Sequence, residues 1–458
     1  MDPDFKKSDW LEEFSLPQSD FSMLQSNFES KMPTETKLLS SQEIIKMASS
    51  RYIKVFDCGG LDSFFDILSV APEDQQSVES VHLLFTCAEM MRNKQYDQAA
   101  RVLMSCRTFS LQWGNPIQRL CYYFSGALED RIERETRYEL SNFLKDVIVP
   151  TYNFQAGYNK TELNDLGAFA TNIIPYVRLL QFTSVQAILD AARNDSKIHL
   201  IDLEIRNGSQ WSVLMQSLAL RSSSYPIKLL RITAVGKDIE NLIEGGRRLH
   251  EVAQSLKIPF IYRMVEISSM EEIQQGMFNV KPGEVVAVYA PYAFSSLLYK
   301  RNLLDNLVDV IVKLRPRIMV NIEVEADHNS PRFENRFVEV LFFCSTWFDY
   351  LDVILPDRHD TRRVMYEEVF CGKTLRNLVA CEMNDRRVRH VKTDVWRCYF
   401  GQKGLKEMSF SYQAWYQARL LLKEFPHGEC YSLDANGSAI TMGWKGTQLL
   451  TVSAWTCL

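Results

Sequence analysis

Five short apolar runs between residues 198 and 325 constrain the fold of this chain more than any other feature. The runs cover residues 198–205, 227–235, 260–267, 284–291 and 317–325. Each has the length and the apolar, branched composition of a buried strand, and amphipathic stretches with helical spacing separate them. Strands that alternate with helices form parallel βαβ units. The sequence therefore predicts an α/β fold with a Rossmann-like core sheet of the methyltransferase type.

The segments on either side of the central runs have different patterns. Residues 80 to about 195 carry apolar positions at helical spacing and predict a helical cap subdomain, in which Asn115 caps a helix that begins at Pro116. Residues after 430 predict a closing antiparallel hairpin around the turn 434–437. We place the cap at about 80–195, the core at about 196–458, and both in one domain, 77–458.

The first 76 residues lack a sustained period. Acids alternate with isolated aromatics such as Trp10, Phe14 and Phe21, as in disordered segments that fold on a partner. A plain flexible tail is the alternative. We expect residues 1–76 to form a flexible, partly disordered segment, with 71–80 as a linker to the main body. The apolar patch 61–68 is the candidate in this segment for docking on that body.

Composition excludes several classes of protein. The net charge of −5 argues against a strongly basic nucleic-acid surface over the whole chain. None of the ten cysteines forms a C-x-x-C pair, which favours reduced, mostly buried thiols over a zinc site or a disulfide framework. The first residues contain no apolar leader, and no run reaches about 18 apolar residues. We therefore expect a soluble intracellular protein with no membrane contact.

The first apolar run ends in the turn where a Rossmann-like sheet places a cofactor. A nucleotide needs glycines for close approach of the backbone and an acid at the end of the second strand for the ribose. Here Glu204 and Arg206 occupy the positions of the usual glycines, only Gly208 remains, and the second strand has no acid before Asp238. Asp202 and Gly208 are candidates for holding a cofactor, but the pattern favours a turn without one.

A second polar group follows the fifth apolar run, where α/β sheets also place ligands. Glu323, Glu325, Asp327 and His328 are residue types that ligate metals, and His328 beside a carboxylate is a candidate general base. The alternative is a hydrogen-bonded turn that caps a helix beginning near Pro331. We favour the turn, because strand alternation alone does not bring His328 to the two glutamates. We predict no metal and no catalytic residue.

Basic residues form two short clusters, at 245–250 and 385–392. The second contains Arg386, Arg387, Arg389 and Lys392. These side chains are candidates for contacts with nucleic-acid phosphates or for a nuclear import signal, whereas a solvated, ion-paired face is the structural alternative. We favour the ion-paired face.

Several stretches, in this order, resemble the plant GRAS family of transcriptional regulators over about residues 80–458. They are the leucine-rich VHLLFTCAEMM at 81–91, IHLID at 198–202, QWSVLMQSLALR at 210–221, the stretch 323–352 with Arg363 and Glu367 beyond it, LVACEMNDRRVRHVKTDVW at 378–396, and GWKGTQLLTVSAW at 443–455. They are similar to the family's first leucine-rich region, its VHIID core, its PFYRE and RVER regions and its SAW motif. Each is a weak signal alone, whereas their order and spacing are specific.

The resemblance implies a Rossmann-like core with a helical cap, in a nuclear, non-enzymatic regulator that binds transcription factors and other GRAS proteins, often as a homo- or heterodimer. The body is most similar to DELLA-like members, but no DELLA or TVHYNP motif stands in the amino-terminal segment. Met383 departs from the family, which usually has glycine after the glutamate, and RRVR at 386–389 replaces RVER. The motif residues that we single out are His199, Asp202, Gln210, Trp211, His328, Asn329, Arg363, Glu367, Trp396, Trp444 and Trp455.

These inferences lead to one interpretation and two rivals. We interpret the chain as a scaffold for transcription factors in which Asp202 braces the first turn, Arg363 and Glu367 form an ion pair, and the last three tryptophans pack the carboxyl-terminal region. The rival is a small-molecule methyltransferase-like enzyme that uses the crevice from Asp202 to Gly208. A weaker alternative is direct, sequence-specific DNA binding through 385–392.

Overall fold

The computed structural model describes residues 39–57, 71–140, 162, 165–167, 169–170, 174–206, 208–221 and 226–458. These residues divide between two compact units. A helical unit contains the described residues up to 140 together with Ser330–Glu382, and an α/β unit contains those from 162 to Asn329 together with Met383–Leu458. The expectations for residues 1–38 and for the apolar patch 61–68 lie outside the described residues.

The elements are numbered in chain order. The α-helices are α1 (Ser41–Asp57), α2 (Pro72–Arg92), α3 (Tyr96–Arg107), α4 (Pro116–Leu140), α5 (Pro175–Ala191), α6 (Ser209–Ala219), α7 (Ile239–Ser255), α8 (Arg301–Lys313), α9 (Phe333–Ile354), α10 (Thr361–Tyr366), α11 (Lys373–Ala380), α12 (Thr393–Gln402) and α13 (Tyr412–Glu424). The strands are β1 (Lys197–Asp202), β2 (Leu229–Gly236), β3 (Phe260–Glu266), β4 (Val285–Pro291), β5 (Ile318–Val324), β6 (Leu405–Met408), β7 (Tyr431–Asn436), β8 (Ala439–Trp444) and β9 (Thr447–Cys457). A π-helix, Glu367–Gly372, joins α10 to α11. None of the helices in the described ranges is long and apolar enough to cross a membrane.

The α/β unit is built on one sheet with the strand order β3-β2-β1-β4-β5-β9-β8-β7, and β6 pairs with β9 beside this path. Strands β1 to β5 are parallel, and β9 runs antiparallel to β5. This order confirms the predicted Rossmann-like core with an antiparallel carboxyl-terminal part. That part is larger than the predicted hairpin, since β6 to β9 all belong to it. Strand β6 left no signal in the sequence, because its four residues are too few to show a period.

Burial explains why the central strands are almost continuously apolar. Every residue of β1 after Lys197 is buried, and β2 and β4 are each buried after their first residue. A strand that is covered on both faces cannot alternate between apolar and polar residues. The edge strand β3 has no fully buried residue, only half-buried and exposed ones.

The helical unit contains α1 to α4 and α9 to α11. Its bounds differ from the expected ones, because residues 330–382 belong to this unit rather than to the core, and α5 belongs to the α/β unit rather than to the cap. The ring of Phe337 in α9 lies 6.3 Å from that of Phe85 and 5.6 Å from that of Phe124, which shows the packing of α9 within the helical unit. A helical period reveals an apolar face but not the element against which that face packs.

Two helices occupy parts of the segment expected to be flexible. Helix α1 buries Ile44, Ile45 and Ala48. Helix α2 begins inside the expected linker, with Pro72 at its first position and two acids in its first turn. Proline fits the first turn of a helix and acids stabilise its positive end, so 71–80 is a helix start rather than a linker.

The start of α4 follows the prediction. Helix α4 begins at Pro116, and Asn115 Oδ1 accepts a hydrogen bond from the Gln118 amide at 2.9 Å. The Gln118 side chain returns the interaction, since its Oε1 accepts from the Asn115 amide at 3.0 Å. This reciprocal pair is a capping box that satisfies two amides of the first turn.

Helix α7 packs closely on β3 because it carries a glycine at position 246. A Cβ added at Gly246 would lie 2.5 Å from Tyr262 Cε1, so only glycine admits the ring. The Tyr262 hydroxyl donates to the carbonyl oxygen of Leu242 at 2.9 Å. The absence of a side chain at Gly246 therefore allows α7 to approach β3 closely.

We expect Gly246→Ala to lower the free energy of unfolding by roughly 1–3 kcal/mol, because the packed ring of Tyr262 must move. Gly245→Ala is the matched control: its Cβ would lie 3.6 Å from the Tyr262 hydroxyl, an ordinary contact, and alanine is favoured in a helix by about 1 kcal/mol. Urea unfolding followed by circular dichroism measures both variants. Equal effects of the two substitutions would contradict this account of the packing.

Candidate functional site at the carboxyl edge of the parallel strands

Asp202 ends β1 and organises the turn that follows. Its Oδ2 accepts a hydrogen bond from Trp211 Nε1 at 2.8 Å, and its Oδ1 accepts from the Glu204 amide at 3.1 Å. Burial raises the pKa of Asp202 to about 7, against the effect of these two donors. The indole of Trp211 meets the ring of Tyr289 edge-on at 5.1 Å. The carboxyl group thus joins β1 to the first turn of α6.

Gly208 precedes α6 in a left-handed conformation, with φ of 66°. A Cβ at this position would lie 3.2 Å from Ile205 Cδ1 and 3.3 Å from Leu249 Cδ1. Ile205 and Leu249 are both buried. The space that a glycine leaves for a phosphate in a cofactor loop is therefore occupied by apolar side chains.

An open cleft of about 420 Å³ adjoins Gly208 on the side of α6 and α7. Ser209, Ser212 and Arg248 contribute to its lining. Among the described residues, the lining does not include Asp202. The cleft therefore reaches Gly208 but not the end of the first strand.

Asp238, the first acid after the second strand, caps a helix. Asp238 Oδ1 accepts from the amides of Glu240 and Asn241 at 3.0 and 3.2 Å, so its carboxylate caps α7. A Cβ at Gly236 would lie 3.1 Å from Leu242 Cδ2. The end of β2 therefore carries a helix cap and an apolar contact where a ribose would bind.

Beyond β4 and β5 lie polar groups that the sequence analysis did not bring together. The Arg206 guanidinium carbon lies 5.9 Å from the centre of the Tyr292 ring. Glu323 Oε1 accepts from the Ser295 amide at 3.2 Å, and its buried Oε2 has no hydrogen-bond partner among the described residues. Burial raises the pKa of Glu323 to about 8, which favours the protonated form of this carboxyl. Tyr292 and Ser295 lie within four residues of the end of β4. Their position after an apolar run was the sequence signal that could have identified them as site residues.

The turn 325–328 is held by separate contacts. Glu325 Oε2 accepts from the hydroxyls of Thr393 and Thr451 at 2.5 and 2.7 Å. The Nδ1 atoms of His328 and His390 lie 2.9 Å apart, and burial lowers the pKa of His390 to about 4. Within the described ranges, no three His, Cys, Asp or Glu side chains are placed to hold one metal ion. These contacts fit a hydrogen-bonded turn.

The chain is similar to known proteins over most of its length. A family model for the GRAS domain matches residues 80–456. The chain belongs to the GRAS domain family. This confirms the resemblance drawn from the motifs.

Curated relatives and a solved structure agree with this assignment. DELLA protein RGA2 of Brassica campestris is 31% identical over 389 residues, which are 83% of this chain and 63% of the relative. DELLA protein RGL1 of Arabidopsis thaliana is 30% identical, with 84% of this chain and 71% of the relative covered. The match thus spans less than two thirds of the length of RGA2. The crystal structure of SCL7 in Oryza sativa has a TM-score of 0.72 at 27% identity and covers 82% of this chain and 99% of SCL7.

Part of the basic cluster at 385–392 of this GRAS domain forms contacts within the chain. Arg386 is buried and donates to the His328 carbonyl oxygen at 2.9 Å, and Arg389 donates to Asn329 Oδ1 at 3.1 Å. The Arg387 guanidinium carbon lies 5.3 Å from the centre of the Tyr299 ring. Lys392, which precedes α12, is exposed. Two of the four candidate cations therefore bond to the turn 325–329, whereas Arg387 and Lys392 are exposed.

Other motif residues of the GRAS domain lie within the core of the α/β unit. His199 Nε2 lies 2.8 Å from Thr233 Oγ1, and its Nδ1 lies 3.3 Å from Glu284 Oε2, so it links β1 to β2 and to the start of β4. Burial lowers the pKa of His199 to about 4. Gln210 is buried in the first turn of α6. The remaining three are fully buried tryptophans, Trp396, Trp444 and Trp455.

The expected Arg363–Glu367 pair belongs to a larger network in the helical unit. Glu367 Oε1 lies 3.8 Å from Arg363 Nε but 3.0 Å from Arg119 Nε, and all three side chains are fully buried. Arg119 also donates to Asp352 Oδ1 at 2.8 Å. Burial raises the pKa of Glu367 to about 7, against the two guanidinium groups. Sequence reasoning missed Arg119, whose signal was a charge on an otherwise apolar helix face.

Met383, the departure from the family pattern, has a left-handed backbone with φ of 47°. Its side chain is 82% exposed, so it forms no part of the core. Glycine adopts this conformation without steric cost, which accounts for its usual place here in the family.

Glu323→Gln is expected to flatten the pH dependence of stability. The folded pKa of Glu323 is raised, so the native state binds its proton more tightly, and stability falls as pH rises from about 4.5 to 8. Between about pH 5 and pH 8, the free energy of unfolding of the variant should therefore rise by roughly 3 kcal/mol relative to that of the wild type, since one pKa unit is worth about 1.4 kcal/mol. Urea unfolding across this range measures the gain. An unchanged slope, equal to that of the exposed control Glu240→Gln, would refute the assignment.

Proposed function

We propose that this protein is a plant transcriptional regulator that acts in the nucleus as a scaffold for transcription factors and has no catalytic activity. Membership of the GRAS domain family and the similarity to DELLA proteins support the regulatory role. Other GRAS proteins, in homo- or heterodimers, are the second class of partner. The domain that carries these functions includes α1 and therefore begins near residue 39 rather than 77, and the segment before it recruits further partners.

The packing of the turn after β1 is the observation that carries the non-enzymatic part of the proposal. Asp202 accepts from Trp211 and Glu204, Gly208 lies under Ile205 and Leu249, and Asp238 caps α7. Each feature that a methyltransferase would use for its cofactor thus has an internal partner. The internal hydrogen bonds of Arg386 and Arg389 likewise weaken the case for DNA binding through 385–392.

Affinity capture from plant nuclear extract tests the scaffold role. We expect both the full chain and a chain that begins at residue 39 to recover transcription factors, identified by mass spectrometry. Residue 39 is a better boundary than 77, because a cut at 77 removes α1 and the first turn of α2. If neither chain recovers a transcription factor above the level of an unrelated nuclear bait, the proposal is wrong.

Calorimetry with S-adenosylmethionine tests the enzymatic rival. We expect no binding at micromolar concentrations, because Ile205 and Leu249 occupy the space beside Gly208 and Asp202 is bonded internally. A methyltransferase of known affinity serves as the positive control. Micromolar binding that Asp202→Ala abolishes would instead support the rival.

A further inference from the structure

The outer edge of β3 presents unpaired backbone groups. The Pro259 carbonyl oxygen accepts from the Leu230 amide, and the Ile267 amide donates to the Gly236 carbonyl oxygen, both at 2.9 Å. Because backbone groups of a strand alternate in direction, the odd-numbered residues from 259 to 267 bond to β2. The even-numbered residues direct their amides and carbonyls away from β2. Among the described residues, β2 is the sole strand that pairs with β3.

A shallow apolar groove runs beside this edge, between β3 and α7. It has a volume of about 450 Å³, and its lining includes Ile243, Gly246, Tyr262 and Met264. Ile243 is 54% exposed and Met264 is 45% exposed, so both apolar side chains face solvent. The ring of Tyr262 packs directly against Gly246, and the two residues lie side by side in the lining of the groove. The even-numbered residues of β3 therefore combine an open backbone edge with an apolar surface.

The two arginines of α7 beside the groove are paired with carboxylates of the same helix. Arg247 Nη2 lies 2.8 Å from Glu244 Oε1, and Arg247 Nη1 lies 2.5 Å from Glu251 Oε1. Arg248 Nε lies 3.3 Å from Glu244 Oε1. These cations are paired with carboxylates, so the groove is complementary to an uncharged, apolar occupant. A nucleic acid or a strongly charged peptide gains little from such a surface.

We propose that the edge of β3 and the adjacent groove bind an extended, apolar, uncharged segment of a partner protein as an additional strand. Its backbone pairs with the outward groups of Phe260, Tyr262, Met264 and Glu266, and alternate side chains enter the groove between Ile243 and Met264. An extended segment satisfies these backbone groups, whereas a helix bonds to itself and leaves them unpaired. The inference deepens the proposed scaffold function and rests on it for the class of partner.

A library of random short peptides, displayed on phage and selected on the full chain, supplies the probe. We expect the selected peptides to alternate apolar with small polar residues, and their affinity to fall by about tenfold or more for Met264→Pro. Proline at this position removes an outward amide and no bond to β2, which edge strands tolerate. Ile243→Asp, at an exposed site, is the second variant and should weaken binding equally. Leu420→Asp, at a site 42% exposed on α13, is the control that should not.

Backbone pairing has a readout that simple apolar contact lacks. Bound peptide should slow hydrogen exchange at the amides of the even-numbered residues of β3, and a peptide N-methylated at alternate amides should not bind. Retention of affinity by the methylated peptide or by both variants, or the absence of this alternating protection, would overturn the proposal. Concentration-dependent dimerisation that Met264→Pro abolishes would overturn it in favour of a second copy of the chain. Capture of transcription factors that both variants leave intact would reject this edge while the scaffold function stands.

Discussion

The hydrogen bond from Trp211 Nε1 to Asp202 Oδ2 is the interaction on which the turn after β1 depends. It ties the end of a strand buried on both faces to the first turn of α6, and the Asp202 carboxyl also holds the Glu204 amide. Once these two ends are joined, the intervening residues must form a short loop, which places Ile205 over Gly208. The bond is made in a fully buried place, where an unsatisfied indole or carboxyl would cost about 1–3 kcal/mol or more. The carboxyl that looks like a ligand for a cofactor is therefore required for the fold.

The helical unit uses buried charge in a comparable way. Arg119 joins Glu367 in the π-helix to Asp352 in α9, so one guanidinium fixes the positions of two distant segments. Removing one partner of such a network leaves an uncompensated buried charge, at a cost of about 3–5 kcal/mol. An apolar side chain of equal volume would fill the same space but would not select this one arrangement. The π-helix places Glu367 within reach of both Arg119 and Arg363.

The parallel strands could be predicted from the sequence because their burial on both faces forces continuous apolar runs. The start of α4 could be predicted because its cap is local in sequence. The membership of 330–382 in the helical unit could not, since a period does not name a packing partner. Arg119 and Glu367 are close only through tertiary structure, so their pairing had no local signal. The cap at Asp238 was accessible in principle, because an aspartate before an amphipathic helix is a capping signal.

A Rossmann-like sheet offers two different places for recognition, and they make different demands on the chain. The carboxyl edge of the strands receives small molecules, and this requires open glycines and free acids in the loops. In this protein Gly208, Gly236 and Asp238 are all engaged internally, so that edge contributes to stability instead. The lateral edge at β3 requires only unpaired backbone and an apolar neighbour, which the groove beside Met264 provides. The lateral edge is formed by other groups, namely the outward backbone of β3 and the exposed side chains of Ile243 and Met264. In the function proposed for this chain, the same sheet serves protein partners at its lateral edge and no cofactor at its carboxyl edge.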